Sequence, residues 1–240
     1  MKHHSAARHQ GGFTLVEIAI VLMIIGLLIG GILRGQELIQ SARVRNIIDQ
    51  KSSIQTAYIG FLDRYRMLPG DLTATQAGVV GNNARESSVA AGGDALIASA
   101  TESTLFFQNL TAAGFLSCSA CANVAAGGAA ASINNSPTNV YGEFLSVGND
   151  DSDSTGTNRW FDATNALNRL VLYTGGSIPS QVLAEVDRKA DDGRPSTGQL
   201  RFAVGGSAVG VCTGGGMVAT PATGTWANPS QSNCAGAWLF

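Results

Sequence analysis

Histidine is confined to the first nine residues: His3, His4 and His9 are the whole supply. Any event that removes the N-terminus therefore leaves a chain without the means for Ser-His-Asp or Cys-His chemistry, or for imidazole-ligated zinc. Charge is scarce as well. Fifteen Lys and Arg stand against 17 Asp and Glu, a net −2, so there is no basic surface to hold nucleic acid by counterion release. Nucleic acid is not expected as a main partner. The remaining carboxylates are scattered rather than paired, which places an enzyme last among the function classes. Proline is missing from Phe13 to Leu68, so a helix over that span meets no obligatory break.

What the chain does have is one long apolar run. Residues 1–12, MKHHSAARHQGG, are polar and basic through Lys2 and Arg8, which favours a cytoplasmic N-terminus. From Phe13 to Leu33 the only charge is Glu17, and 21 residues at ~1.5 Å each just span a ~30 Å hydrocarbon core. A secretory signal would have a shorter apolar core and a small-residue cleavage site after it. Here the small pair, Gly11-Gly12, lies before it. A lone carboxylate in hydrocarbon costs on the order of 3 kcal/mol, so Glu17 is read as functional and in need of a partner, with snorkelling to the interface at the membrane edge as the alternative.

The helical pattern continues past the membrane-length segment. Leu38, Ala42, Ile47, Ile54, Tyr58, Phe61 and Tyr65 recur at helical spacings, with Arg43, Arg45, Asp49, Lys51 and Asp63 between them. Pro69 and Gly70 stop the pattern, and Gly26, Gly30, Gly31 and Gly35 are its soft points. This divides the chain into a leader at 1–12, a long helix at 13–66 that is transmembrane at 13–33, and a head at 67–240.

In the head, Gly, Ala, Ser, Thr and Asn surround short apolar islands. Residues 102–116 and 180–190 read as helices, the first ended near Gly114 and the second capped by Ser180. Residues 139–148, 168–175, 199–206 and 208–212 read as strands, and 76–101, 122–138 and 213–233 as loops. The terminal AWLF either closes a sheet edge or packs on the long helix. The fold class expected is α+β, a small antiparallel sheet on the outer half of a long helix.

Cys118, Cys121, Cys212 and Cys234 all lie far downstream of the apolar run, and in an exported head they pair as disulfides. Of three pairings we favour Cys118 with Cys121 and Cys212 with Cys234; a redox or half-zinc role for C-x-x-C is the alternative. In DSDSTGTNRWFD, Asp151, Asp153, Thr155, Gly156 and Asp162 fall at EF-hand-like positions 1, 3, 5, 6 and 12, a candidate structural calcium site. No cofactor is otherwise required. Asp187, Asp191 and Asp192 read as a helix end and turn, with Asp191 or Asp192 accepting from turn amides and a metal or partner contact as the minority reading. Phe106, Phe107, Phe115, Trp160, Phe161, Tyr173, Trp226 and Trp238 read as packing residues.

Gly12, Phe13 and then Thr14-Leu15-Val16-Glu17 ahead of a continuous apolar helix resemble the class III signal of type IV pilins and type II secretion pseudopilins. The resemblance is specific over residues 11 to about 35 and architectural over the head. It implies cleavage after Gly12 by a prepilin peptidase, methylation of the new N-terminus at Phe13, and assembly through the helix. The new ammonium at Phe13 of one subunit would pair with Glu17 of its neighbour. Implied partners are the peptidase, sister subunits, an inner-membrane platform and an assembly ATPase. Implied localisation is single-pass in a bacterial inner membrane, head periplasmic, and then a filament. Arg34 and Gly35 stand near where many pilins kink at proline, and the processed chain is long for a bulk subunit, which favours a minor or specialised one. The competing class is a membrane-tethered periplasmic binding protein whose helix is only an anchor.

Overall fold

The computed structural model describes residues 12–81, 83–87, 92–123, 129–149, 169–195, 197–203, 212–214, 225–226 and 232–240. The proline-free segment forms one helix, α1 (Leu15–Tyr65), unbroken through all four glycines named above. It is followed by α2 (Ala74–Val80), α3 (Ala100–Ala112), a 3-10 turn (Ala120–Asn123), β1 (Ser146–Asn149), β2 (Leu170–Tyr173) and α4 (Ser180–Ala190). The order ends with β3 (Leu200–Phe202), β4 (Thr213–Gly214), β5 (Thr225–Trp226) and β6 (Gly236–Leu239). The α+β class expected from the sequence is the class observed.

Compactness divides the chain inside α1, at Ala42/Arg43, and not at its end. The reason is the apolar stripe of the second half of α1. Val44, Ile47, Ile54, Ala57 and Phe61 are buried in the core of the unit that starts at Arg43. Leu38 and Ala42, expected on that stripe, are exposed. Val44 and Ala57 take their places as core members.

Four strands form an antiparallel sheet in the order β1-β2-β6-β3. One face carries Val147, Leu172, Trp238, Leu200 and Phe202 into the same core as Ile54, Phe61, Phe106 and Leu183. The other carries Val171, Ala203, Ala237 and Leu239 as a smaller cluster. The terminal residues do not close an edge: β6 pairs on both sides, Trp238 opposite Leu172 and Leu200. Their second expected role is the observed one. Lys51 Nζ sits 5.2 Å from the centre of the Trp238 ring, and Phe240 stacks on Tyr58 at 5.5 Å. Three backbone N–H groups of the outer strands are bonded outside the sheet. Val147 N–H donates to Ser103 Oγ, Asn149 N–H to the Ile97 carbonyl, and Phe202 N–H to the Pro195 carbonyl. Such occupation blunts an edge against pairing with another chain.

Helix starts account for most of the boundary differences. α3 begins earlier than expected because Ser99 caps it: its hydroxyl accepts from Glu102 N–H while the Glu102 carboxylate accepts from Ser99 N–H, a reciprocal box. It ends as expected at Gly114, which takes φ +79° and lets Phe115 N–H reach the Leu110 carbonyl. A second box, Thr73 with Gln76, nucleates α2 inside what reads as loop. Ser180, expected as the cap of α4, is its first helical residue, with Pro179 in the cap position. The span 139–145 turns instead of extending, because Asn139 binds its own neighbours. Its Oδ1 accepts from Tyr141 and Glu143 N–H, and its Nδ2 donates to the Thr174 and Gly176 carbonyls. β4 and β5 form a small ribbon inside the expected loop 213–233, while most of the expected strand at 208–212 lies outside the described residues.

Candidate functional site

At the head of α1, Gly12 and Phe13 are exposed and non-helical, with Phe13 84% accessible. The Gly12–Phe13 peptide bond is thus open to a peptidase without unwinding helix. A Cβ at Gly12 would meet nothing within 4 Å.

Glu17 is not the isolated carboxylate that the sequence suggests. Its Oε2 accepts from Thr14 N–H at 2.9 Å and from the Thr14 hydroxyl at 2.9 Å, while Glu17 N–H donates back to Thr14 Oγ1 at 3.3 Å. Thr14-Leu15-Val16-Glu17 is therefore a capping box, one of three among the described residues. Sequence reasoning missed it although the signal was present: Thr or Ser followed three residues later by Glu or Gln, ahead of an apolar run. The carboxylate also sits at the positive end of the α1 dipole, where negative charge is favoured. Both Thr14 donors fall on Oε2, so they leave Oε1 of Glu17 uncommitted to them. Beyond this turn, Leu15, Val16, Ile18, Ile20, Val21, Leu22, Met23 and the apolar residues through Leu33 are all exposed. The segment is long and apolar enough to cross a membrane.

The other expected sites are dispersed. Cys118 is joined to Cys121, and Cys212 to Cys234. Asp151, Asp153, Thr155 and Asp162, with Trp160 and Phe161, lie outside the described residues. Asp187, Asp191 and Asp192 do converge, their oxygens within 4.8 Å of one another, and each is occupied by protein donors. Asp187 accepts from Trp226 Nε1 at 2.7 Å and from Gly193 N–H at 3.2 Å. Asp191 accepts from Gln199 and Leu200 N–H, and Asp192 from Arg194 N–H and the Thr197 hydroxyl. This is the turn-amide role expected for Asp191 and Asp192. Burial pushes the Asp187 carboxyl up from 3.8 to about 6; its bonds to Trp226 and Gly193 oppose that, and the nearby Asp192 and Asp191 charges add to it. Phe106, Phe107 and Trp238 are core residues, and Phe115 packs edge-on against Phe61.

The exposed Gly12–Phe13 junction thus leads into a capped, carboxylate-bearing apolar helix. Residues 7–33 match the family model described as the prokaryotic N-terminal methylation motif. The chain carries this prepilin-type motif, and with its long apolar helix and α+β head it is consistent with a type IV pilin-like or pseudopilin precursor. The motif implies processing by a prepilin peptidase and association with other subunits, and points to a structural protein rather than an enzyme. Comparison with curated proteins gives no match, and comparison with solved structures gives none.

Proposed function

We propose that this protein is a structural subunit of a type IV pilus or type II secretion pseudopilus, cut after Gly12, methylated on Phe13 and assembled through α1. The observation that carries this reading is the fully exposed apolar surface of residues 15–33, headed by one capped carboxylate. Such a surface needs lipid before assembly and sister helices after it.

Cleavage after Gly12 leaves the Phe13–Thr14 peptide bond intact. The Thr14 N–H and hydroxyl therefore remain to hold Oε2 of Glu17 in the processed chain. Oε1 is the acceptor for the Phe13 ammonium of an incoming subunit, which neutralises two charges in a low-dielectric bundle. Each subunit offers an ammonium at one axial level and a carboxylate four residues on. The contact is thus heterologous, and its repetition gives an open helix. In the membrane the head lies in the periplasm and the leader in the cytoplasm, with a platform protein and an ATPase driving extraction.

Two measurements test this together. Mass spectrometry of the N-terminal peptide, from cells with an active prepilin peptidase, is expected to give a chain starting at Phe13 with one added methyl. Glu17→Leu is expected to be inserted and processed normally yet to be lost from filaments. Processing without any requirement for Glu17 would instead mean a tethered binding protein. An intact Met1 would reduce the motif to an anchor.

A further inference from the structure

The two disulfides differ in burial and in the length of chain they span. Cys212 and Cys234 are both fully buried, and Cys234 is pinned by reciprocal backbone bonds with Ile178 at 2.9 and 3.2 Å. Their bridge spans 22 residues of sequence, so it restrains a long loop of the unfolded chain. Cys118 and Cys121 are only three residues apart, and a loop this short contributes much less restraint. The paired residues are also unequal. Cys118 is half-buried between exposed Ser117 and Ser119, whereas Cys121 is fully buried in the main core. In addition, Cys121 N–H donates to Cys118 Sγ at 3.2 Å, a bond placed to stabilise negative charge on that sulfur.

We propose that Cys118–Cys121 is a thiol–disulfide exchange site for low-molecular-weight thiols, with Cys118 the sulfur that is attacked and Cys121 the resolving one. An external thiolate attacks Cys118 Sγ. A new S–S bond forms to Cys118, the Cys118–Cys121 bond breaks, and the electron pair leaves on Cys121 Sγ, which takes a proton. A second thiolate attacks the external sulfur of the mixed disulfide, releases Cys118 as thiolate and departs as the oxidised external disulfide. Two external thiols are oxidised and one protein disulfide is reduced. In reverse, the Cys118 thiolate, held by Cys121 N–H, attacks an external disulfide, and Cys121 then closes the bridge. Access decides the direction of attack, because Cys121 cannot be reached from solvent in the folded chain.

The test uses the full chain in detergent micelles with reduced and oxidised glutathione as the probe, acid quenching, alkylation and peptide mass spectrometry. Wild-type Cys118–Cys121 is expected to open at least about tenfold faster than Cys212–Cys234, with helical circular dichroism unchanged. In Cys121→Ser, glutathione is expected to accumulate on Cys118; in Cys118→Ser, Cys121 is expected to stay unmodified over the same period. Opening of the two bridges at rates within tenfold of each other, or only in urea, would overturn the proposal. Modification of Cys121 in Cys118→Ser as fast as that of Cys118 in Cys121→Ser would also overturn it. The wild-type comparison keeps the proposal falsifiable if a variant fails to fold, and neither result bears on filament assembly.

Discussion

Thr14 changes the meaning of Glu17. A charge read from sequence as needing a distant partner has a near one, three residues back, which cleavage after Gly12 would leave in place. Thr14→Val removes the hydroxyl while keeping the backbone N–H, so Glu17 loses one of two donors and its own N–H loses its acceptor. The expected outcome is faster amide exchange at Leu15 to Glu17 in micelles, with the rest of α1 unchanged. Asp187 is a second residue whose behaviour follows from its surroundings. Burial raises its folded-state pKa to about 6, above the ordinary 3.8, so the folded chain binds this proton more tightly than the unfolded chain does. The resulting stabilisation is fully present below about 3.8 and is lost as pH rises through about 6. Asp187→Asn keeps an oxygen for the Trp226 indole and removes the titration. A melting series from pH 4 to 7 is expected to show this decline in wild type and its loss in Asp187→Asn.

Among the elements, the boundaries that sequence reading placed well are those set by local chemistry. Gly114 ends α3, and Pro69 with Gly70 follows the end of α1. The misplaced ones had equally local signals left unused: Thr73 with Gln76, and Ser99 with Glu102. The turn at 139–145 is different in kind, because Asn139 satisfies carbonyls 35 and 37 residues away in sequence. Asn139 is almost wholly buried, so Asn139→Ala leaves those groups without partners at a cost of about 3 kcal/mol. The Gly175 region would then lose its tie to the turn. Denaturant unfolding of the detergent-solubilised chain, with an unchanged m-value and a lowered midpoint, is the expected result.

For the whole molecule, the division at Ala42/Arg43 makes a prediction about what folds alone. A fragment starting at Arg43 keeps Val44, Ile47, Ile54, Ala57 and Phe61, which fill the core beneath the sheet. It is expected to be soluble, to elute as a compact species and to melt cooperatively. A fragment starting at Met67, the head boundary drawn from sequence, exposes the core around Phe106, Phe115 and Trp238 and is expected to aggregate. Loss of Phe61 alone would cost about 3–5 kcal/mol on the scale of aromatic core deletions.

The sequence by itself determined the features that depend on neighbours along the chain. These are the apolar run with its single carboxylate, the glycine-aromatic junction ahead of it, the capping boxes and the confinement of histidine to the first nine residues. Each is legible because a helix satisfies its backbone internally and because the methylation motif is a linear segment. Tertiary structure alone decided that the C-terminal strand lies inside the sheet and that half of α1 belongs to the head core. It also decided that Asp187 is the buried member of the Asp187, Asp191 and Asp192 cluster and that Cys118 is the more exposed residue of C-x-x-C. Those outcomes depend on pairings between segments far apart in sequence, where short apolar islands of similar strength compete for one core and only simultaneous packing settles their places.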